Sequence, residues 1–142
     1  MVPRKNIPVA QVVRVLQGAA RSGVEIPALL AEVGIERSLL DQPDARIERE
    51  TFIHLMLCVM QQTQDEFLGF GQGRVSKPGT FSMMAHAVIN CSNLEMAVVR
   101  GLKFYDLFDL EVRSKLIREG DHAEIRVLAN PRLDFREVII ES

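Results

Sequence analysis

The sequence predicts an α+β fold, several helices packed with a small antiparallel sheet, and three observations carry that prediction. Residues 94–108 place Leu94, Ala97, Val98, Gly101, Leu102, Tyr105 and Phe108 at helical spacing, with Arg100, Lys103 and Asp106 off the stripe. Beyond Phe108 the period drops to two. Leu110, Val112, Ser114 and Leu116 then share one face and Glu111, Arg113 and Lys115 the other, the pattern of a half-buried strand. After Glu119, Gly120 and Asp121 the parity inverts: Ala123, Ile125, Val127 and Ala129 are apolar while Glu124 and Arg126 are polar. A two-residue loop reconciles the two runs as a hairpin over residues 110–129.

The composition bounds the rest. At 142 residues, 47% hydrophobic and 25% charged, the chain can bury one core, so residues 1–142 are expected to form a single domain. A net charge of −2 gives no basic footprint for nucleic acid. No apolar run approaches the roughly 18 residues of a membrane span, and Arg4-Lys5 is too little charge for a targeting peptide. A cytoplasmic chain is expected, with Cys58 and Cys91 as buried thiols inside apolar runs.

In chain order, Pro8 opens a helix whose buried stripe reads Val9, Val12, Val13, Leu16, Ala19 and Ala20, ending by Gly23. Pro27 starts a short second helix carrying Leu29, Leu30 and Val33, with Gly34 placed as its left-handed cap. This pair has the outline of a helix-turn-helix, but Ala28, Ala31 and Glu32 offer nothing that reads base edges, so it is expected to cap a core. Residues 38–45 turn around Pro43-Asp44. Residues 48–64 form a strong helix with Phe52, Leu55, Met56, Val59 and Met60 inward. His54 and Cys58 have ligand spacing on that helix, yet no second pair completes a metal site, and core packing is the expectation.

The run Gly69-x-Gly71-x-Gly73 lacks the spacing of a dinucleotide loop and the Lys-Ser/Thr pair of a phosphate loop. It is expected to mark a strand or turn where something packs close to the backbone. A helix then runs from Pro78 or Thr80 to Cys91 with Phe81, Met84, Ala85, Val88 and Ile89 inward. The helix over 94–108 is expected to start at a capping box of Ser92 and Glu95. With Glu119-Gly120 as the hairpin loop, Val112 faces Val127, Ser114 faces Ile125 and Lys115 faces Glu124; a Gly120-Asp121 loop keeps the same parity. After Asn130-Pro131, Asp134 and Glu137 repeat the capping-box spacing of a helix that Ser142 interrupts, with a short third strand over 137–140 as the rival reading.

No G-x-S-x-G, H-E-x-x-H or C-x-x-C occurs, and neither catalytic residues, nor a metal, nor a cofactor is expected. The candidate ligand site lies between the helix over 80–91, the helix over 94–108 and the apolar face of the hairpin. Its residues are Met84, Val88 and Tyr105, with Arg74, His86 and the Tyr105 hydroxyl as polar anchors.

Several stretches together resemble one family. They are Ile7-Pro8-Val9, Ile26-Pro27-Ala28-Leu29-Leu30 into Val33-Gly34-Ile35, Phe67-Leu68-Gly69-Phe70-Gly71, Pro78-Gly79-Thr80-Phe81, Met84-Ala85-His86-Ala87 and Ser92-Asn93-Leu94-Glu95-Met96-Ala97. In that order they resemble the N-terminal effector-binding region, arabinose-binding-like, of AraC-type bacterial transcriptional regulators. The resemblance implies a ligand-sensing and dimerising domain whose small-molecule effector is unknown. It also implies that DNA is contacted only through a C-terminal domain of two helix-turn-helix units lying outside these residues. The branch name does not imply arabinose, and no sugar-site motif is present. Two other classes stay open on the residues alone, a cytoplasmic enzyme of small-molecule metabolism using the same pocket and a structural interaction module. Helix-turn-helix units following Ser142 in the reading frame would decide for the regulator.

Overall fold

The computed structural model of the chain describes residues 5–71, 73–108 and 112–129. They form β1 (Lys5–Pro8), α1 (Val9–Arg21), α2 (Ile26–Val33), a 3-10 turn (Arg37–Asp41), β2 (Arg46–Glu48), α3 (Arg49–Thr63), α4 (Thr80–Val88), α5 (Leu94–Asp106), β3 (Val112–Glu119) and β4 (His122–Ala129). The class is α+β, as the sequence predicts. The chain divides into two compact units, Met1–Pro78 and Gly79–Ser142.

In the first unit, α1, α2 and α3 pack on one another around Val12, Val15, Leu16, Leu29, Leu55 and Val59, all buried. Each such side chain contributes roughly 1.5–3 kcal/mol by leaving water. The stripe of α1 is rotated from its predicted position: Val15 is buried, Val13 is half-buried and Ala20 is exposed. Helix α2 ends as predicted, with Gly34 at φ 72°. There the amide of Ile35 donates to Leu30 O at 3.0 Å, and both side chains of that contact are buried. Along α3, Cys58 is buried with Leu55 and Val59, while Phe52 and Met56 pack at the margin. An antiparallel pair of β1 with β2, in register at Ile7 and Ile47, was not predicted. Strands of four and three residues are too short to establish a period.

The glycine run is a turn against a neighbouring backbone. A Cβ on Gly18 would strike Leu68 O, and one on Gly69 would strike Gly18 O, so α1 and the loop meet backbone to backbone. The loop itself is folded on Asp65, 3% exposed. Its Oδ1 accepts from the amides of Phe67 at 2.9 Å and Ser76 at 2.8 Å, and its Oδ2 accepts from the amide of Gly69 at 3.0 Å.

In the second unit, α4 packs on α5 and α5 packs on β3. The cap of α5 is Asn93 rather than Ser92: its side chain accepts from the amide of Met96 at 2.8 Å, while the Ser92 hydroxyl reaches Met96 Sδ. Asn ranks with Ser at this position, and spacing alone did not separate adjacent residues. Phe81, Ile89 and Leu94, predicted inward, are 61%, 75% and 78% exposed. The hairpin closes on Gly120-Asp121, pairing Glu119 with His122, Leu116 with Ile125 and Ser114 with Val127. Its parity is the predicted one, and its register is that of the second loop, which sets Lys115 opposite Arg126. Leu110, Glu111 and the predicted helix or strand over 134–140 lie outside the described residues.

Replacing Asp65 by Asn keeps the volume but turns an NH2 toward backbone N–H groups. At least one amide then loses its acceptor, and the change is expected to cost about 2–4 kcal/mol. Urea denaturation measures it. A stability within about 0.5 kcal/mol of the unaltered chain, the scatter of ordinary surface changes, would show that the loop does not depend on this carboxylate.

Candidate functional site

Helices α4 and α5 meet where Gly101 removes a side chain. A Cβ built there would lie 3.4 Å from Met84 Sδ and 3.9 Å from Val88 Cγ1, so both side chains lie against this part of α5. Arg100 fixes the crossing from the adjacent position, its Nη1 donating to Ala87 O at 3.1 Å in the last turn of α4. One turn beyond Gly101, Tyr105 is half-buried, stands edge-on to Phe104 with centroids 5.5 Å apart and reaches Phe108 at 6.1 Å. Arg118 of β3 donates to Glu95 Oε2 at 3.2 Å in the first turn of α5. Both partners are largely exposed, so this pair orients the hairpin more than it stabilises it.

Met84, Val88 and Tyr105, predicted together, thus occur on the packed sides of α4 and α5. His86 does not join them: it is exposed, with Nδ1 at 2.7 Å from Ser82 O of its own helix. If Nδ1 carries the proton of that bond, Nε2 is an acceptor. Arg74 belongs to the other unit, is half-buried, and its amide donates to Gly71 O at 3.0 Å.

Two polar centres went unrecognised in the sequence. Asp65 is one, and an Asp just past a helix and ahead of a glycine run is the Asx-turn signal that could have revealed it. The second is a clasp between α2 and α3, in which the Cys58 thiol donates to Glu32 Oε1 at 3.5 Å and Gln62 Nε2 donates to Glu32 Oε2 at 3.1 Å. Burial first, then the hydrogen bond to Glu32 and its negative charge, hold the Cys58 thiol above its ordinary pKa. A thiol kept protonated in this way is a packing group and a poor nucleophile. His54, four residues earlier, is exposed and Cys58 is buried, so the two do not face one site. Cys91, predicted buried, is half-buried, and both cysteines are free.

Among comparisons with known proteins, the family model described as the arabinose-binding domain of AraC transcription regulators, N-terminal, matches residues 23–142. The match begins in the turn after α1 and crosses the division between the two units. Neither the curated proteins nor the solved structures compared with the chain give a match.

The contact at Gly101 sets opposite signs for two substitutions. Gly101→Ala meets Met84 at ordinary contact distance and gains helix propensity, so it is expected to be neutral or to stabilise by up to about 1 kcal/mol. Gly101→Leu inserts a branched side chain into the same contact and is expected to cost about 1–3 kcal/mol. Thermal unfolding of the two variants distinguishes the cases; a tolerated Leu would show that α4 does not rest on α5 at this point.

Proposed function

The chain belongs to the family of N-terminal arabinose-binding domains of AraC transcription regulators, and from that premise we propose that residues 1–142 act as one cytoplasmic, homodimeric effector-sensing domain coupled to DNA through a C-terminal domain elsewhere in the regulator. The observation that carries the reading is the extent of the match, residues 23–142, which takes in residues 23–78 of the first compact unit and all of the second. The family is one of regulatory ligand-binding domains rather than of enzymes, which places catalysis outside the reading.

The proposed site is the packed side of α4 and α5 with the apolar face of the hairpin. Met84, Val88 and Tyr105 line it, with the Tyr105 hydroxyl as its polar anchor. Ligand sites of this kind are mostly apolar, with few polar groups that fix orientation. Such an effector acts by preferring one of two conformations. The shift it causes is limited to its difference in affinity for the two, so moving a 1:99 population to 99:1 needs about 10⁴-fold discrimination. A dimer suits a regulator that reads paired half-sites, because tethering two DNA-binding modules raises their effective concentration.

Two measurements test this. Fluorescence anisotropy of the 142-residue chain with duplex DNA at physiological salt is expected to show no binding, since a net charge of −2 supplies no cationic stripe; micromolar affinity would overturn the division of labour. Thermal-shift screening against small metabolites is expected to find a ligand that stabilises the chain by about 2.7 kcal/mol at one hundred times its Kd. Val88→Trp and Tyr105→Ala are each expected to weaken that ligand at least about tenfold, given the cost of overpacking or emptying an apolar contact. A ligand indifferent to both would place the site elsewhere.

A further inference from the structure

The outer edge of β4 carries its own complement. Among the described residues, β3 and β4 form a sheet of two strands, and nothing further pairs with β4. Helix α5 packs against β3, and Arg118 with its partner Glu95 marks the hairpin face that α5 covers. By parity, Ala123, Ile125 and Val127 share that face with Arg118, yet Ile125 is 53% and Val127 is 43% exposed. Among the described residues, half of an apolar face is therefore covered and half is exposed, beside a strand edge that none of them pairs with.

The hairpin register dictates how that edge can pair with itself. Because Glu119 and His122 close the loop, the alternation of an antiparallel ladder turns the amides and carbonyls of residues 124 and 126 toward β3. It turns those of 123, 125 and 127 outward. Two copies of β4 joined about a two-fold axis must match outward groups with outward groups, which leaves a few registers. An axis at Glu124 sets Glu124 against Glu124, and one at Arg126 sets Arg126 against Arg126. An axis at Ile125 sets Glu124 against Arg126 twice, in the non-hydrogen-bonded positions where cross-strand side chains lie nearest. It also brings Ala123 of one copy beside Val127 of the other and Ile125 beside Ile125, so the bare apolar half-faces become continuous.

We infer that a second copy of this chain docks antiparallel along the outer edge of β4, with the two-fold axis at Ile125. This rests on the homodimer reading above and gives it an interface. Isologous contacts require the same patch to be its own partner, and the Glu124-Ile125-Arg126 order meets that requirement. Within one copy Arg126 already contacts Glu124 and Glu119, so the dimer extends an existing charge ladder rather than stranding a charge.

Sedimentation equilibrium of the whole chain, with circular dichroism to confirm folding, tests the register by charge reversal. Glu124→Arg alone and Arg126→Glu alone each set like charges opposite one another twice, and each is expected to raise the dimer dissociation constant about tenfold or more. The double reversal restores opposite charges and is expected to return it to near the original value. Singles without effect on an existing dimer would overturn this interface while leaving the homodimer standing. A chain that is monomeric at high micromolar concentration would overturn both. Crosslinking gives a second, independent reading: with Cys91→Ser as background, Ile125→Cys is expected to oxidise to a dimer linked through position 125. Arg113→Cys on β3 is not, because its two copies would stand three strand spacings apart across the sheet, about 14 Å, and farther still along the strands. Equal crosslinking at both positions would refute the edge pairing.

Discussion

The first unit depends on one buried carboxylate. Helix α3 ends with Gln64 in the left-handed region at φ 53°, which leaves the following residue aimed inward, and that residue is Asp65. Its two oxygens gather amides from three points of an eleven-residue span, as the Ser76 amide and the Phe67 and Gly69 amides converge on it. The Glu66 amide, donating to Ser76 O at 2.6 Å, closes the same loop through the backbone. Charge-assisted acceptance by one carboxylate substitutes for a strand ladder the loop lacks. With the loop held, Gly69 can lie on Gly18 and Phe70 under the Arg21 guanidinium, 5.5 Å from its ring centroid. The end of α3 and the end of α1 are thereby joined through a segment with no regular structure.

The parts of this fold that could be read from the sequence are those in which a pattern repeats. The turn from period 3.6 to period 2 after Phe108 located α5 and the hairpin, because each rule was sampled several times before it changed. Gly34 was legible alone, since a left-handed cap after an apolar turn leaves few other residues possible. What escaped was set by contacts between distant segments. Asp65 looks like any loop aspartate until Ser76 arrives from eleven residues away, and Glu32 looks like solvent-facing helix until Cys58 and Gln62 reach it from α3. Asn93 took the capping position from Ser92 because both side chains can accept an amide there.

Of the candidate site residues, it is the shared helix face of the apolar ones that could be read. Met84 and Val88 are four apart on α4 and Gly101 and Tyr105 four apart on α5, so each pair shares a face by helical geometry. The polar members had no such constraint: nothing in the sequence decides between a histidine turned to a ligand and one turned to the carbonyl four residues back. His86 has the second arrangement.

The two units also differ in how completely their side chains are removed from water. In the first unit Val12, Ala19, Leu55 and Val59 have no accessible surface at all, whereas none of the described residues from Gly79 onward is fully buried. Opening of α4, α5 and the hairpin therefore costs less than opening of α1 and α3, and their amides exchange with solvent first. A segment with little free energy of its own is one whose order an effector can change substantially. Order in α4, α5 and the hairpin is thus gained or lost at a smaller cost than order in α1 and α3.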